Sequence, residues 1–358
     1  MLGGDGNQDN EDVQVLSPEP RQNATLLILT RSDSNSTRGA IHSILSIENS
    51  FNKHYRYPYT IFDDPTDRLT DEQKQEFYEI LPKNAVVNFA TVNTLDWSLP
   101  PWLEEEEVAA KEAEMERNEV LYGEKRGYHY MCRWYSGPFA LHPALSKYKY
   151  YWRLDPDVDF HCQIPYDPFT FLEQRDKVYG WNIALQELEE TIPTLFETFL
   201  SYERALLTRN EGGIIPDIPD VSFDSIIREQ SKSMRSFLFE NNKFSKCHFW
   251  SNFEIASLEF FRRAEYQAFF RYLDLKGGFF LERWGDAPVH TLGLSLFARV
   301  DQVHYFEDIG YTHRPFSVCP SRSNIGCNCH CPGLKDNNYL DNYARSCLLN
   351  WLETLAGY

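Results

Sequence analysis

Apolar and polar positions change rhythm several times along this chain. Ala24 to Thr30 is a short, almost unbroken apolar run, the pattern of a strand buried on both faces. Polar Ser, Asp and Asn residues follow at 32–37. From 38 to 52, Ile41, Ile44, Leu45 and Ile47 fall on one side at helical spacing and predict an amphipathic helix. A second strand-like run at 57–62 ends on Asp63 and Asp64. Strand, polar loop, helix and strand together predict a βαβ opening, and in such sheets ligands sit beyond the carboxyl ends of the strands. That rule points to Thr30, Arg31 and the loop after them as a nucleotide site.

Further along, 102–121 is rich in helix formers, with Glu104 to Glu107 crowding its first turns, as the helix dipole favours. This acidic run reads as a solvated helix face. Tyr148 to Leu154 is rich in strand formers and runs into Asp155-Pro156-Asp157. The pattern over 253–275 predicts an amphipathic helix, with Ser251 or Asn252 as its cap and Glu254 closing a capping box. Residues 282–290 read as a tight turn leading into a helix at Pro288. Ile214 to Pro219 reads as a loop, and the polar, Gly/Pro-bearing residues 1–23 as a disordered stem. No internal repeat is visible.

Composition narrows the classes. The 358 residues suit one large α/β unit. A formal net charge of -18 argues against a broad basic face, and so against nucleic acid or an anionic lipid surface as partners. Eight cysteines, with glycosylation sequons at Asn23 and Asn35, tilt toward an oxidising secretory compartment. Cys327-Asn328-Cys329-His330-Cys331 lacks the two-residue gap usual between zinc-binding cysteines, and disulfides are the expectation there. The longest early apolar run is far too short to cross a bilayer.

The chemistry concentrates in a few places. Asp155 and Asp157, two carboxylates at i and i+2 on a Pro-stiffened turn, suit a hard divalent cation, which a pyrophosphate donor needs as its diphosphate leaves. Cys247 to Glu254 gathers His, Trp, Ser, Asn and Glu. Glu282 to His290 adds Arg283, Trp284 and Asp286, and His313 follows an apolar-acidic stretch.

Five stretches carry a resemblance: Tyr128-His129-Tyr130-Met131-Cys132-Arg133-Trp134-Tyr135-Ser136-Gly137; Tyr151-Trp152-Arg153-Leu154-Asp155-Pro156-Asp157-Val158; Cys247 to Ile255; Glu282 to His290; and Asp308 to His313. In this order they resemble the fungal α-1,2-mannosyltransferases of glycosyltransferase family 15, over roughly residues 24–333. The resemblance implies an α/β fold of the GT-A type, a mixed and mostly parallel central sheet flanked by helices. It implies a single catalytic domain at 24–358, with a nucleotide half (about 24–160) and an acceptor half (about 161–358). GDP-mannose is the implied donor, Mn2+ the metal, and mannose-terminated O- or N-linked glycans the acceptors. The implied setting is the Golgi lumen, as a single-pass type II membrane protein.

Carried over by motif, Asp155, Asp157 and His313 are the expected metal group. The family usually has Glu where this chain has Asp155, which leaves open whether Asp155 or Asp157 touches the metal. Glu254 matches the candidate nucleophile, and Tyr128 and Asp286 match residues at the two sugars. Thr30, Arg31, Arg133, Ser136 and Arg153 are the expected donor-binding residues. The segment near 201–232 looks longer than the family's. Two retaining routes stay open: double displacement through Glu254, or a front-face reaction that Glu254 only steadies. Mannosylphosphate transfer, a mannoside hydrolase using Glu254 and Asp286, and a mannose-binding module are the alternatives.

Overall fold

The computed structural model describes residues 22–209, 234–240, 243–320, 325–331 and 343–357. The stem therefore lies almost wholly outside the described residues, as does most of the segment near 201–232, including the loop expected at Ile214 to Pro219.

The opening βαβ unit forms as its pattern predicts. Strand β1 (Ala24–Thr30) leads into helix α1 (Ser34–Ile47) and strand β2 (Tyr59–Asp63), which pairs parallel to β1. The helix starts four residues earlier than its apolar spacing suggested. Asp33 explains this: its carboxylate accepts from the amides of Asn35 and Ser36 and caps the first turn. A short π-helical turn at Glu48–Asn52 then ends the regular helix. Helix α2 (Asp71–Ile80), capped by a Thr70/Gln73 box, connects to β3 (Val87–Thr91). The acidic helix α3 (Glu105–Arg117) buries only Val108 and Met115, in keeping with a solvated face.

Helix α4 (Arg126–Ser136) precedes β4 (Tyr150–Leu154) and β5 (Val158–Phe160). Strands β6 (Tyr179–Trp181) and β7 (Ala184–Gln186), helix α5 (Leu195–Arg209) and strand β8 (Cys247–Phe249) follow. Residues Phe253–Ser257 then form strand β9, not the start of a helix. The helical spacing belongs to what comes after it: a short turn at Leu258–Arg262, capped by Ser257, and helix α6 (Ala264–Leu275). The strand wins because these five buried residues fill the slot between β4 and β6, antiparallel to both. Helix α7 (Asp286–Phe297), β10 (Val303–Tyr305), the hairpin β11 (Tyr311–His313) and β12 (Phe316–Val318), and helix α8 (Leu348–Ala356) complete the chain.

Seven strands form one central sheet in the order β10-β6-β9-β4-β1-β2-β3. All its pairings are parallel except those that β9 makes with its two neighbours. Alternation along β4 divides the core. Tyr150, Trp152 and Leu154 join one apolar cluster with β1, β2 and α1, whereas Tyr151 joins the other, beneath α4, α6 and α7. A buried Trp such as Trp152 removes about 150–250 Å² from water, a gross gain of roughly 4–6 kcal/mol. The sheet is thus anchored on both faces just where β4 delivers Arg153 and Asp155.

Three disulfides, Cys162–Cys329, Cys247–Cys347 and Cys319–Cys331, staple the C-terminal segments to this frame. The cysteine-rich stretch is therefore a disulfide loop, with Cys327 left free. No helix among the described residues is long and apolar enough to cross a membrane.

Candidate active site

A cleft opens over the carboxyl ends of β1, β2 and β4. One lobe, of about 480 Å³, is lined by Leu29, Thr30 and Arg31 from the end of β1, by Asp64 after β2, and by Ser36, Trp97, Tyr122 and Lys125. The other lobe, of about 760 Å³, is lined by Arg153, Asp155, Glu187, Trp250, Ser251, Arg283, Asp286 and His313, among others. Both lobes share Ser36, Tyr122, Tyr128, Met131 and Pro156, so they form one continuous cleft.

The first lobe is where the strand-end rule placed a nucleotide site. Thr30 is buried there, while Arg31 is exposed and pairs with Asp67 at 3.2 Å and more loosely with Asp64 at 3.8 Å. The Lys125 ammonium lies over the Tyr122 ring, 4.8 Å from its centre. Ser36, Trp97, Tyr122 and Lys125 were not foreseen, because they sit in connecting segments and a helix turn with no periodic signal of their own.

The second lobe is built on a buried charge pair. Arg153 donates to Asp155 at 2.8 Å and to Asp286 at 2.5 Å, and its guanidinium stacks over the Tyr135 ring at 3.7 Å. Asp286, in the first turn of α7, also accepts from the Ser251 hydroxyl at 2.7 Å. Burial works to raise the Asp286 pKa, but Arg153, His290 and Ser251 outweigh it and hold the carboxyl below its usual 3.8. Asp286 is therefore an anion with a fixed direction. Ser251, read from sequence as a helix cap, serves instead to orient it.

Tyr128 lines both lobes, with the Tyr122 ring tilted against it 4.6 Å away and the Arg283 guanidinium 5.5 Å from its ring centre. Packing around its hydroxyl raises its pKa well above the ordinary 10, so it is a neutral phenol that can donate a hydrogen bond into the cleft.

Among the expected metal residues, the structure brings Asp155 and His313 to one lobe. The His313 Nδ1 is buried and has no hydrogen-bond partner, and burial lowers its pKa, so the ring is neutral with a free lone pair. A neutral imidazole beside a carboxylate, with one nitrogen unsatisfied, fits a divalent cation. His248 also lines this lobe with an unpartnered Nδ1, in a setting that includes the Glu187 and Asp286 carboxylates and the Arg283 cation. Asp157 does not line the cleft, although its charge acts on His313: it is exposed, in a left-handed turn at φ 61°, and its Oδ2 lies 2.9 Å from where a Cβ on Gly39 of α1 would stand. Of the two carboxylates, Asp155 is the one in position. Among the described residues no group of three or more His, Cys, Asp or Glu is clustered as a metal cage, so a cation here would draw other ligands from substrate or water.

Three other expected site residues are placed elsewhere. Arg133 forms a buried two-pronged pair with Asp274 of α6, at 2.7 and 2.8 Å, because it projects from the far side of α4 relative to Tyr128 and Met131. Ser136 donates to the carbonyl of Cys132, one turn back, and is fully buried. Glu254 is 0% exposed. It faces Arg153 across the β4–β9 register, yet it is enclosed: the Tyr151 and Tyr179 hydroxyls donate to its carboxylate, and the His290 Nδ1 sits 2.7 Å away. The other His290 nitrogen donates to the Tyr135 carbonyl at 2.8 Å. Burial acts to strip the His290 proton, but Glu254 prevails and raises the pKa, and both ring nitrogens face acceptors. A nucleophile needs an open path to carbon, and this carboxylate has none in the structure.

A mixed, mostly parallel sheet flanked by helices, with a cleft at its strand ends, has the architecture of a nucleotide-sugar transferase of the GT-A type. Comparison with known proteins narrows this. Residues 5–356 match the family described as glycolipid 2-alpha-mannosyltransferase. An O-glycoside alpha-1,2-mannosyltransferase homolog from Schizosaccharomyces pombe is 38% identical, over 94% of this chain and 78% of its own length. The solved mannosyltransferase Ktr4p of Saccharomyces cerevisiae, in complex with GDP, superposes with a TM-score of 0.79 at 36% identity, covering 93% of this chain and 82% of that one. Core-mannan synthase A of Aspergillus fumigatus, solved in a Mn/GDP form, gives 0.75 at 34% identity, covering 98% and 89%. The chain belongs to the glycolipid 2-alpha-mannosyltransferase family, and it is a mannosyltransferase with a GT-A fold.

Proposed function

We propose that this protein transfers mannose from GDP-mannose to the 2-hydroxyl of a terminal α-mannose on a protein-linked glycan, with retention and with Mn2+. The observation that carries the reading is the shared lobe of Asp155 and the unpartnered His313 nitrogen, next to the strand-end lobe. The GDP and Mn/GDP forms of the two solved relatives support the donor and the metal. Asp155 and His313 would hold the cation, which would neutralise charge developing on the diphosphate. Arg31 and Lys125 flank the nucleotide lobe, and Trp97 and Tyr122 offer aromatic faces to a base. Asp286, fixed by Arg153 and Ser251, orients the acceptor hydroxyl, and Tyr128 donates toward the oxygens around the reacting carbon.

The enclosure of Glu254 favours a front-face reaction over double displacement, with Glu254 holding α7 through His290 rather than attacking. It also weakens the hydrolase reading, since Glu254 and Asp286 do not both face the cleft. The same proposal places the enzyme in the Golgi lumen, as a single-pass type II membrane protein. The test is a transfer assay with GDP-mannose, methyl α-mannoside and Mn2+, with and without chelator, the product linkage being read by NMR. An α-1,2 disaccharide formed only with metal is expected. Full activity in excess chelator refutes the metal role, and release of mannose from an oligomannoside without GDP-mannose would instead indicate a hydrolase.

A further inference from the structure

The C-terminal stretch 343–347 runs beside β7 as a strap. The Gln186 amide donates to the Arg345 carbonyl at 2.9 Å, the Cys347 amide donates to the Ala184 carbonyl at 3.0 Å, and Leu185 bridges antiparallel to Ser346. The Arg345 guanidinium latches it further, donating to the carbonyls of Gln186 at 3.0 Å and Glu187 at 2.7 Å. Cys347 is joined covalently to Cys247 of β8. Backbone, side chain and disulfide thus fix one short segment three ways.

What the strap delivers is Tyr343, which lines the larger lobe. Its ring lies 4.7 Å from Phe316, which lies 5.7 Å from Trp250, which in turn lies 4.9 Å from His313. Trp250, Phe316 and Tyr343 are each only partly buried and all line the same lobe. This aromatic row begins at the cation position and ends three ring contacts away, on a segment that takes no part in holding Arg153, Asp155 or Asp286. An outlying row of partly exposed rings suits the C–H face of a pyranose, which leaves water when it packs on an aromatic ring.

We propose that the outer end of the row, Phe316 and Tyr343, is a second sugar subsite that binds the glycosyl unit next to the terminal mannose, so that the preferred acceptor is a mannoside of at least two units. This rests on the mannosyl-transfer reading above. The strap's triple fixing then has a purpose, since a subsite must be rigid to hold a chain in line with the reacting end.

The test compares methyl α-mannoside with methyl α-mannobioside as acceptors, by initial rates with GDP-mannose and Mn2+ and by NMR titration of each glycoside in the presence of GDP. Wild type is expected to show a kcat/KM about 10-fold higher for the disaccharide, mostly through KM. Tyr343→Ala should bring that ratio to about 1, and Tyr343→Phe should keep it. Melting curves of both variants establish that the strap is still folded. Equal kcat/KM for the two acceptors in wild type, or an undiminished ratio in folded Tyr343→Ala, overturns the subsite while leaving mannosyl transfer standing. Failure of both glycosides to bind and to accept mannose overturns the transfer reading and the subsite with it.

Discussion

Two carboxylate–histidine pairs flank the end of β4, and they differ in almost every respect that decides chemistry. Asp155 and His313 line the cleft, the Asp155 side chain is 24% exposed, and the His313 Nδ1 is left without a partner. Glu254 and His290 are sealed at 0% exposure; both Glu254 oxygens are engaged, and both imidazole nitrogens face acceptors. The open pair has unused ligand capacity, which in a buried setting is costly unless something occupies it. The sealed pair has none. What separates a binding group from a positioning group here is therefore not residue type or charge, but access to the cleft and hydrogen-bonding capacity left over.

The sealed pair can be broken first, and the effect is the largest expected. Glu254→Ala leaves a buried imidazolium and two tyrosine hydroxyls without their acceptor. Unfolding free energy should drop by about 3–5 kcal/mol, measured by chemical denaturation. A drop under about 1 kcal/mol, with activity abolished, would return Glu254 to a direct chemical role. Next comes the other buried pair that sequence had assigned to the donor: Arg133→Met should cost about 2–3 kcal/mol by stranding Asp274, while GDP affinity stays within about 2-fold of wild type. A large loss of GDP affinity in a folded Arg133→Met protein would contradict its placement away from the cleft.

The smallest effect is a pH dependence. His290 has a folded-state pKa raised above its ordinary 6.5. Its pairing with Glu254 therefore contributes fully below about pH 6.5, and the contribution is lost as pH rises through the folded value. Subtracting the stability of His290→Gln from that of wild type across pH should show this decline on the alkaline side. Imidazole 15N NMR across pH should find His290 keeping both ring protons to a higher pH than an ordinary imidazole. A His290 ring that loses its proton at or below the ordinary imidazole pH would contradict the raised pKa.

Much of this arrangement was legible beforehand. The apolar run at 24–30 and the helix after it specify the βαβ start by periodicity alone, and Thr30 and Arg31 fall where the strand-end rule places them. Asp155, Asp286, Tyr128, Arg153 and His313 all reach the cleft. The expected residues that do not line the cleft have a common cause. Arg133, Ser136 and Glu254 lie in the same motifs as true cleft residues, and a motif does not say which side of a helix or sheet a side chain occupies. For Ser136 and Arg133 the helix turn decided, and for Glu254 the neighbours did: Tyr151 and Tyr179 enclose it only because β9 inserts between β4 and β6. Phe253 to Ser257 read as helix because their apolar spacing merges with that of the following helices. Lys125, Trp97 and Arg345 were invisible for another reason, since each reaches the cleft through long-range packing of an irregular segment.

The comparison of the two pairs is tested most directly by titrating Mn2+, followed by its EPR signal, into wild type, His313→Ala and Glu254→Gln in the presence of GDP. Wild type and Glu254→Gln should bind the metal within about 3-fold of each other, whereas His313→Ala should bind it about 10–100-fold more weakly. Unchanged binding in His313→Ala, or lost binding in folded Glu254→Gln, would contradict the assignment of the open pair as the metal site.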